Sequence, residues 1–189
     1  MEPIRVTEPL NYFLEPWKLD WYCRVGKREA NRICKEAQLI GTAVDGIIKN
    51  GKGEVPKKYK VEVENCLKAY RAWKEVYQPK EIVPGTRLFA TIDGIDITGE
   101  PDLFVDGVLV DIKCSKKISL TYWIQVCVYR YLINQPSLNP KVAILRLDKI
   151  TGSYEYVQKD YDPSLVDMWV SMMKLMLYLK GEEADDDCS

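Results

Sequence analysis

Hydrophobic positions in the first 80 residues recur with the period of an α-helix. Over residues 27–48, apolar or small side chains return every three or four positions, which is typical of a helix with one buried face. Asn50-Gly51 follows, and glycine commonly terminates a helix. The same spacing over residues 61–77 predicts a second helix, which Pro79 ends. The basic, turn-rich segment 52–60 separates them, so this N-terminal region is predicted to be helical.

The hydrophobic period changes to two after residue 80, as expected for strands with one buried face. Asp93-Gly94 and Asp106-Gly107 interrupt the alternation, and both dipeptides favour two-residue hairpin turns. The pattern therefore predicts a three-stranded meander over residues 87–92, 95–105 and 108–114.

The remaining pattern predicts two further helices around a second hairpin. The helices cover residues 119–133 and 163–179, and the hairpin strands cover residues 141–147 and 154–159. We therefore expect one α/β domain over residues 1–180. Its predicted parts are a helical region 1–80, a core 81–160 and a C-terminal helix 162–180, followed by an acidic tail 181–189 that is expected to be disordered.

Length and charge narrow the class of protein. The chain has 189 residues, enough to bury a hydrophobic core without disulfides. No apolar run is long enough to span a bilayer and no signal peptide is recognisable, so we expect a cytoplasmic protein without membrane contact. The formal charge of the chain is −1, but the charge is unevenly distributed, because five acidic and no basic residues follow Lys180. The preceding residues are therefore mildly basic, which is compatible with a polyanionic partner.

The side chains that the chain lacks exclude several kinds of site. The sequence contains no histidine, which excludes Ser-His-Asp and Cys-His catalysis and every nuclease with a histidine base. Its six cysteines include no Cys-x-x-Cys pair, so a structural zinc site is not expected. Any hydrolysis by this chain would therefore depend on carboxylates, lysine and a metal ion.

The second hairpin dipeptide predicts two carboxylates opposite each other. If Asp106-Gly107 is a two-residue loop, Val105 pairs with Val108, and Asp102 then lies opposite Asp111. Opposed side chains are about 5 Å apart at Cβ, so the two carboxylates would repel each other unless a cation neutralised them.

The same register places Glu100 opposite Lys113, on the face that carries the two aspartates. Asp102, Asp111 and the backbone carbonyl of Ile112 would supply oxygen ligands of the kind that Mg²⁺ prefers. Lys113 would orient or deprotonate a water, or stabilise charge on a phosphate. An alternative is equally compatible with this geometry, namely a surface ion pair between Glu100 and Lys113 beside a solvated acidic face. The opposite face is apolar and suited to a core, with Pro101, Leu103, Val105, Val108, Val110 and Ile112.

These residues resemble the signature of the PD-(D/E)xK nuclease superfamily. The segment Gly99-Glu100-Pro101-Asp102 followed by Asp111-Ile112-Lys113 is similar to the signature itself. Gln125 and Tyr129 match the QxxxY element of RecB-like nucleases, and Gly41-Thr42-Ala43-Val44-Asp45 resembles the GxxxH motif with Asp45 in place of histidine. The stretch from Val6 to Ala37 is similar to the N-terminal region of phage- and virus-type exonucleases, so the resemblance spans most of residues 6–160.

The resemblance implies a restriction-endonuclease-like fold, in which helices flank a central mixed β-sheet and a helical N-terminal region precedes it. It assigns Asp102 and Asp111 as metal-binding acids, Ile112 as a carbonyl ligand and Lys113 as the catalytic lysine. Asp45 would be a further oxygen ligand, which leaves the number of metal ions and the choice of Mg²⁺ or Mn²⁺ open. The residues implied to support the site or to contact DNA are Gln125, Tyr129, Glu100, Lys116 and Lys117.

The implied function is metal-dependent hydrolysis of DNA, most simply by an exonuclease on linear DNA in viral or phage replication, recombination or repair; single-stranded DNA is one option for the substrate, and the sequence leaves the strand number open. One alternative is a non-catalytic nucleic-acid-binding or assembly module that retains the fold. Another is a nuclease of the CRISPR-adaptation type, but its iron–sulfur cluster is not expected, because Cys188 is the only cysteine after Cys127. Nucleotide binding is not expected either, because Gly53 replaces the hydroxyl residue in the P-loop-like segment 46–53.

Several further groups have two interpretations. Basic residues would hold a DNA backbone or form an ordinary solvated surface, and aromatic residues near the N-terminus would pack in the core or stack on unpaired bases. The methionine-rich stripe on the last helix would pack in the core, with a protein-partner interface there or at the acidic tail as the alternative. The basic residues are Lys49, Lys52, Lys57, Lys58 and Lys60. The aromatic residues are Tyr12, Phe13, Trp17, Trp21 and Tyr22. The stripe on the last helix consists of Trp169, Met172, Met173, Met176 and Leu177.

Overall fold

The computed structural model of the chain describes residues 2–13, 15–133 and 139–186. The order of helices and strands along these ranges largely follows the order that the hydrophobic pattern predicted. The helices are α1 (Thr7–Tyr12), α2 (Pro16–Val25), α3 (Lys27–Asn50), α4 (Lys60–Tyr77), α5 (Leu120–Ile133) and α6 (Pro163–Asp186), with a 3₁₀ turn at Lys57–Tyr59. The strands are β1 (Ile4–Arg5), β2 (Ile82–Pro84), β3 (Leu88–Ile92), β4 (Ile95–Gly99), β5 (Leu103–Val105), β6 (Val108–Lys113), β7 (Lys141–Leu147) and β8 (Tyr154–Asp160).

The strands form two sheets. The larger sheet has the order β2-β5-β6-β7-β8, and β6 and β7 run parallel while the other neighbours are antiparallel. The smaller sheet has the order β1-β4-β3, in which β1 runs parallel to β4. The expected central mixed sheet with flanking helices is therefore confirmed.

Local sequence signals set the ends of the two long N-terminal helices. Gly51, which follows α3, has a φ of +67°, and its N–H donates to the carbonyl of Ile47. Gln78, which follows α4, has a φ of +52°, and its N–H donates to the carbonyl of Lys74. Both residues take the left-handed conformation that closes a helix, and for α4 this happens one residue before the predicted stop at Pro79.

The larger sheet has a hydrophobic core on each face. Helices α3 and α4 cover one face, while α5, α6 and the smaller sheet contribute to the core on the other. Neighbouring residues of β6 alternate between them, since Leu109 belongs to one core and Val110 to the other. The face predicted to be apolar is buried as expected, with Pro101, Leu103, Val105, Val108, Val110 and Ile112.

The predicted three-stranded meander is wrong at its middle strand. Residues 95–105 form two strands that belong to different sheets, because β4 ends at Gly99 and β5 begins at Leu103. Pro101 lies in the connection and has no N–H to donate to a ladder. Its backbone passes so close to Gly85 that a Cβ there would lie 2.2 Å from the Pro101 carbonyl oxygen. The chain therefore changes sheets immediately before Asp102.

Two short strands were missing from the prediction. Ile4–Arg5 lies in the region that was predicted to be helical but pairs with β4, and Ile82–Pro84, which precedes the predicted meander, pairs with β5. Strands of two and three residues are too short to display an alternating pattern.

Helix α6 extends into the segment that was expected to be disordered. It continues to Asp186, so residues 181–186 of the acidic tail are helical. Residues 187–189 lie outside the described residues. Neither α6 nor any other helix in the described ranges has the length and apolarity needed to cross a membrane.

The methionine-rich stripe of α6 packs in the core. Trp169, Met173 and Met176 are fully buried, and the indole N–H of Trp169 donates a 2.8 Å hydrogen bond to the carbonyl of Val6. The core interpretation of these residues is therefore confirmed, and α6 is fixed to the N-terminal segment.

Candidate active site

The hairpin of β5 and β6 brings two of the predicted acidic residues together. Leu103 pairs with Val110, in the register that the sequence predicted. Asp102 and Asp111 lie one position beyond this pair. Oδ2 of Asp102 accepts a 2.7 Å hydrogen bond from the backbone N–H of Ile112. Asp102 and Asp111 therefore lie at the same end of the hairpin, close enough for the charge of Asp102 to act on Asp111.

Asp111 is a buried carboxyl group with little hydrogen bonding. Its side chain is 2% exposed, and Oδ2 lies 2.8 Å from Nζ of Lys113. Within the described ranges, no donor makes a well-directed hydrogen bond to either oxygen. Burial, together with the charge of Asp102, raises the pKa of Asp111 to about 7 against the opposing effect of Lys113. A carboxylate in this state is a strong candidate for cation binding.

Lys113 follows on the same face of β6 and reaches three neighbours. Besides Asp111, its ammonium donates a 3.0 Å hydrogen bond to Oε1 of Gln125, and it lies 5.1 Å from the ring centroid of Tyr122. Burial alone would lower the pKa of Lys113, but Asp111 and Asp102 raise it above its ordinary value. Lys113 is therefore protonated at neutral pH.

Gln125 and Tyr129 lie on one face of α5, as their spacing of four residues predicted. Both are buried, and Nε2 of Gln125 donates a 3.1 Å hydrogen bond to the Tyr129 hydroxyl. The side-chain amide of Gln125 therefore accepts a hydrogen bond from Lys113 through its oxygen and donates one to Tyr129 through its NH2 group. This chain of contacts fixes the ammonium of Lys113 relative to α5.

Asp45 reaches the same region from α3, one turn before Lys49. Nζ of Lys49 lies 3.0 Å from Oδ1 of Asp45 and 3.0 Å from Oδ1 of Asp102. Burial and the charge of Asp102 raise the pKa of Asp45, and Lys49 opposes this shift. Asp45 is therefore next to the acidic pair, as the GxxxH-like motif predicted, but a lysine stands between them.

Lys49 belongs to the site and is not the solvated surface lysine that the sequence offered as one interpretation. Its side chain is only 7% exposed, whereas lysines are seldom buried without a charged partner. Burial would lower its pKa, but Asp102 and Asp45 raise it. The spacing of four residues between Asp45 and Lys49 was a sequence signal for an ion pair on one helix face, but the contact with Asp102 was not visible.

The predicted pairing of Glu100 with Lys113 is wrong. Because the chain changes sheets between Gly99 and Leu103, Glu100 has no partner position on β6. Its carboxylate instead lies 3.4 Å from the guanidinium of Arg87, and both side chains are largely exposed. The interpretation of Glu100 and Lys113 as a surface ion pair is therefore excluded as well.

Lys116 and Lys117 lie in the exposed loop that leads from β6 to α5. The ammonium of Lys117 lies 4.2 Å from the ring centroid of Trp17, which is 45% exposed. Glu15 accepts hydrogen bonds from the indole N–H of Trp17 and from the hydroxyl of Thr121. Trp17 is therefore held near the start of α5 and is not a core residue, contrary to the packing interpretation.

The donor set suits a hard divalent cation. In the part of the chain that the structure describes, no three carboxylate or thiol side chains converge closely enough to hold an ion by themselves. Two carboxylates do meet at the site, and the buried Oδ1 of Asp111 has no hydrogen-bond donor among the described residues. Asp102, Asp111 and the Ile112 carbonyl are oxygen donors, which Mg²⁺ and Mn²⁺ prefer. The residues therefore fit such an ion.

Solved structures with a similar fold include exonucleases. A protein assigned as an exonuclease from Eubacterium rectale aligns over 78% of this chain and 68% of its own, with 18% identity and a TM-score of 0.53. An alkaline exonuclease from Laribacter hongkongensis aligns over 97% of this chain and 94% of its own, with 13% identity and a TM-score of 0.50. No protein-family model matches the sequence, and no curated protein matches it either. The chain therefore shares the fold of these exonucleases, with helices around a mixed β-sheet as its motifs implied.

Proposed function

We propose that this protein is a divalent-metal-dependent DNA exonuclease that hydrolyses phosphodiester bonds at the ends of linear DNA. The observation that carries the proposal is the convergence of Asp102, Asp111 and Lys113 at one end of β6. Oδ1 of Asp111 is buried without a hydrogen-bond donor among the described residues, which costs free energy, so a fold that keeps it there favours a ligand role for this oxygen.

Asp102, Asp111 and the carbonyl of Ile112 would hold Mg²⁺ or Mn²⁺. When bound, the ion supplies Lewis acidity and neutralises charge at the phosphate. The protein groups have separate tasks. The backbone N–H of Ile112 fixes the orientation of the Asp102 carboxylate. Asp111 provides a negative group that burial keeps out of bulk water.

Lys113 acts as a cation in this proposal. Its raised pKa keeps the ammonium protonated, so it donates hydrogen bonds and stabilises negative charge on the phosphate, and it does not take a proton from water. Gln125 holds the ammonium in place through its carbonyl oxygen, and Tyr129 holds the amide of Gln125. Gln125 and Tyr129 are positioning residues.

The surroundings of the site support an unpaired strand as the substrate. Trp17 exposes part of its indole beside Lys117, and aromatic rings next to basic groups are the usual elements of single-strand binding. Lys116 adds a second exposed positive charge for the phosphate backbone. A role in viral or phage replication, recombination or repair rests on the sequence resemblance alone.

One observation favours a second candidate, a non-catalytic DNA-binding module. Lys49 already neutralises Asp45 and Asp102, so the acidic cluster has an internal counter-ion. A module of this kind would bind DNA through its basic loop without cleaving it.

The test uses end-labelled linear single- and double-stranded DNA and a covalently closed circle, each with Mg²⁺, Mn²⁺ or EDTA. We expect metal-dependent shortening of linear DNA, no cleavage of the circle, and no activity in Asp111→Asn. Asp160→Asn, an exposed aspartate at the end of β8, is the matched control and should keep full activity. If every DNA stays intact while the wild type still binds it in a salt-dependent manner, the non-catalytic candidate is correct.

A further inference from the structure

Lys49 holds two carboxylates of the candidate site at once. Oδ1 of Asp45 and Oδ1 of Asp102 are each 3.0 Å from its nitrogen, so these two oxygens are at most 6.0 Å apart. The two aspartates belong to different parts of the fold, Asp45 to α3 and Asp102 to the connection before β5. Lys49 thus joins the helical region to the strands that carry the acidic pair.

The surroundings of Lys49 show that this contact is part of the packed structure. Its side chain is 7% exposed, whereas Lys58, a surface lysine that also forms an ion pair, is 66% exposed. A lysine side chain loses conformational entropy when it is ordered and buried, and the small free-energy gain of a solvent-exposed ion pair does not compensate for this loss. A lysine buried to this degree between two carboxylates therefore acts as their counter-charge.

The net charge of the cluster limits the number of divalent cations that it can bind. Three carboxylates, Asp45, Asp102 and Asp111, face two ammonium groups, Lys49 and Lys113. With all five ionised, the cluster has a net charge of −1. One divalent cation changes this to +1, and a second would change it to +3. Like charges at this density repel strongly, because burial reduces screening.

We infer that the ammonium of Lys49 takes the place of a second divalent cation. The site therefore binds one metal ion per chain, and Asp45 pairs with Lys49 and is not a ligand of that ion. The inference rests on the proposed function, since both assume that Asp102 and Asp111 bind a divalent cation. The first ion uses Asp111, whose Oδ1 has no hydrogen-bond donor among the described residues. Lys49 is thus a positioning residue that determines metal stoichiometry.

The experiment counts Mn²⁺ ions bound to metal-free protein without DNA, by electron paramagnetic resonance of free Mn²⁺ during a titration. We expect one ion per chain for wild type and two for Lys49→Gln and Lys49→Met, because removal of the ammonium frees Asp45 and Asp102. Methionine keeps the apolar stem of the lysine, so it serves as a second variant if glutamine disturbs the packing. Lys52→Gln, an exposed lysine just beyond α3, is the matched control and should bind one ion.

A second variant tests the same inference without a change at Lys49. Asp45→Asn should still bind one ion, because Asp45 is not a ligand in this arrangement. Loss of that ion in Asp45→Asn would overturn the inference, as would two ions in wild type or a single ion in both Lys49 variants. Each of these results leaves the proposed nuclease activity standing. If wild type binds no ion, the metal dependence of the proposed function fails instead, and the inference fails with it.

Thermal unfolding supplies a readout that does not depend on activity. In EDTA, Lys49→Met should unfold at a lower temperature than wild type, because two carboxylates lose their counter-charge. Mn²⁺ should raise the unfolding temperature of Lys49→Met by more than that of wild type. Equal shifts in the two proteins would contradict the proposed replacement of an ion by Lys49.

Discussion

The backbone N–H of Ile112 donates a 2.7 Å hydrogen bond to Oδ2 of Asp102, immediately beyond the last paired residues of the β5–β6 hairpin. The side chain of Asp102 thereby replaces the backbone acceptor that a longer β5 would have provided. The bond fixes one oxygen of the carboxylate and leaves the other, Oδ1, to Lys49. The position at which the ladder stops therefore determines where the negative charge of Asp102 points.

Replacement of Gln125 should lower turnover without unfolding the protein. In Gln125→Leu the ammonium of Lys113 loses its hydrogen-bond acceptor on α5, so its position in the transition state becomes less defined. We expect kcat to fall about 10-fold or more, compared with about 10²–10³-fold for Lys113→Met, which removes the charge itself. Single-turnover cleavage of a labelled oligonucleotide measures both.

A tyrosine on the same helix supplies the control. Tyr131 is 48% exposed on α5, so Tyr131→Phe should cleave at the wild-type rate. If Gln125→Leu also cleaved at that rate, the contact between Gln125 and Lys113 would have no role in positioning.

The buried carboxyl of Asp111 should make the metal-free protein less stable at high pH. Burial raises its pKa from 3.8 to about 7, and the unfolded chain retains the lower value. The contribution of this group to stability is therefore fully present below about pH 4 and is lost as the pH rises through 7. Relative to Asp111→Asn, wild type should lose at most about 4 kcal/mol of unfolding free energy over this range, since one pKa unit corresponds to about 1.4 kcal/mol.

Urea unfolding in EDTA at several pH values between 4 and 8 measures this difference. Asp111→Asn keeps the shape of the side chain and removes its ionisation, so its stability should change less with pH. Parallel stability curves for the two proteins would show that Asp111 is not perturbed in the folded state.

The glycine at the end of β4 should be intolerant of any side chain. A Cβ at Gly99 would lie 2.5 Å from the ring of Tyr129 and 3.0 Å from a methyl group of Val6. Gly99→Ala should therefore destabilise the fold by about 1–3 kcal/mol, as overpacking does, and displace Tyr129 from Gln125. Denaturant unfolding and cleavage assays should both report the change.

Gly41 offers the opposite case. A Cβ at Gly41 would have no neighbour within 4 Å, and the residue lies inside α3. Gly41→Ala should therefore stabilise the protein by about 0.5–1 kcal/mol, because alanine favours a helix. If both substitutions had the same effect, the close packing of Tyr129 on Gly99 would not be important.

Loss of the Trp17 ring should weaken the binding of single-stranded DNA. Stacking of one base on an aromatic side chain contributes about 1–3 kcal/mol, so Trp17→Ala should raise Kd about 10-fold for an oligonucleotide in EDTA. Trp17→Phe should restore most of the affinity. Phe89→Ala is the control, because Phe89 is 69% exposed on β3. An unchanged Kd for Trp17→Ala would exclude stacking at this position.

Local signals explain which parts of the site could be predicted from the sequence. Asp106-Gly107 fixed the register of the hairpin because both residues take positive φ, +50° and +78°, as a two-residue turn requires. The register then placed Asp102 beside Asp111. The spacing of Gln125 and Tyr129 likewise followed from helix geometry alone.

The parts that were wrong or absent depend on contacts between distant segments. The break before Asp102 arises where the backbone of Pro101 passes against Gly85, and no periodicity in either segment reports such an approach. The position of Lys49 depends on Asp102, which is remote in sequence. Pattern analysis therefore found the motif residues but not the lysine that neutralises them.

The parallel pairing of β6 with β7 has a consequence for the order in which the protein folds. The hairpins β5–β6 and β7–β8 are local, whereas β6 and β7 are joined through α5 and pair only after that crossover closes. Lys49 and Asp102 likewise come from segments that are far apart in sequence, so their contact requires α3 to dock on the sheet. A chain in which only the β5–β6 hairpin has formed therefore lacks this contact, and any cation that binds only the complete site stabilises the native state by mass action.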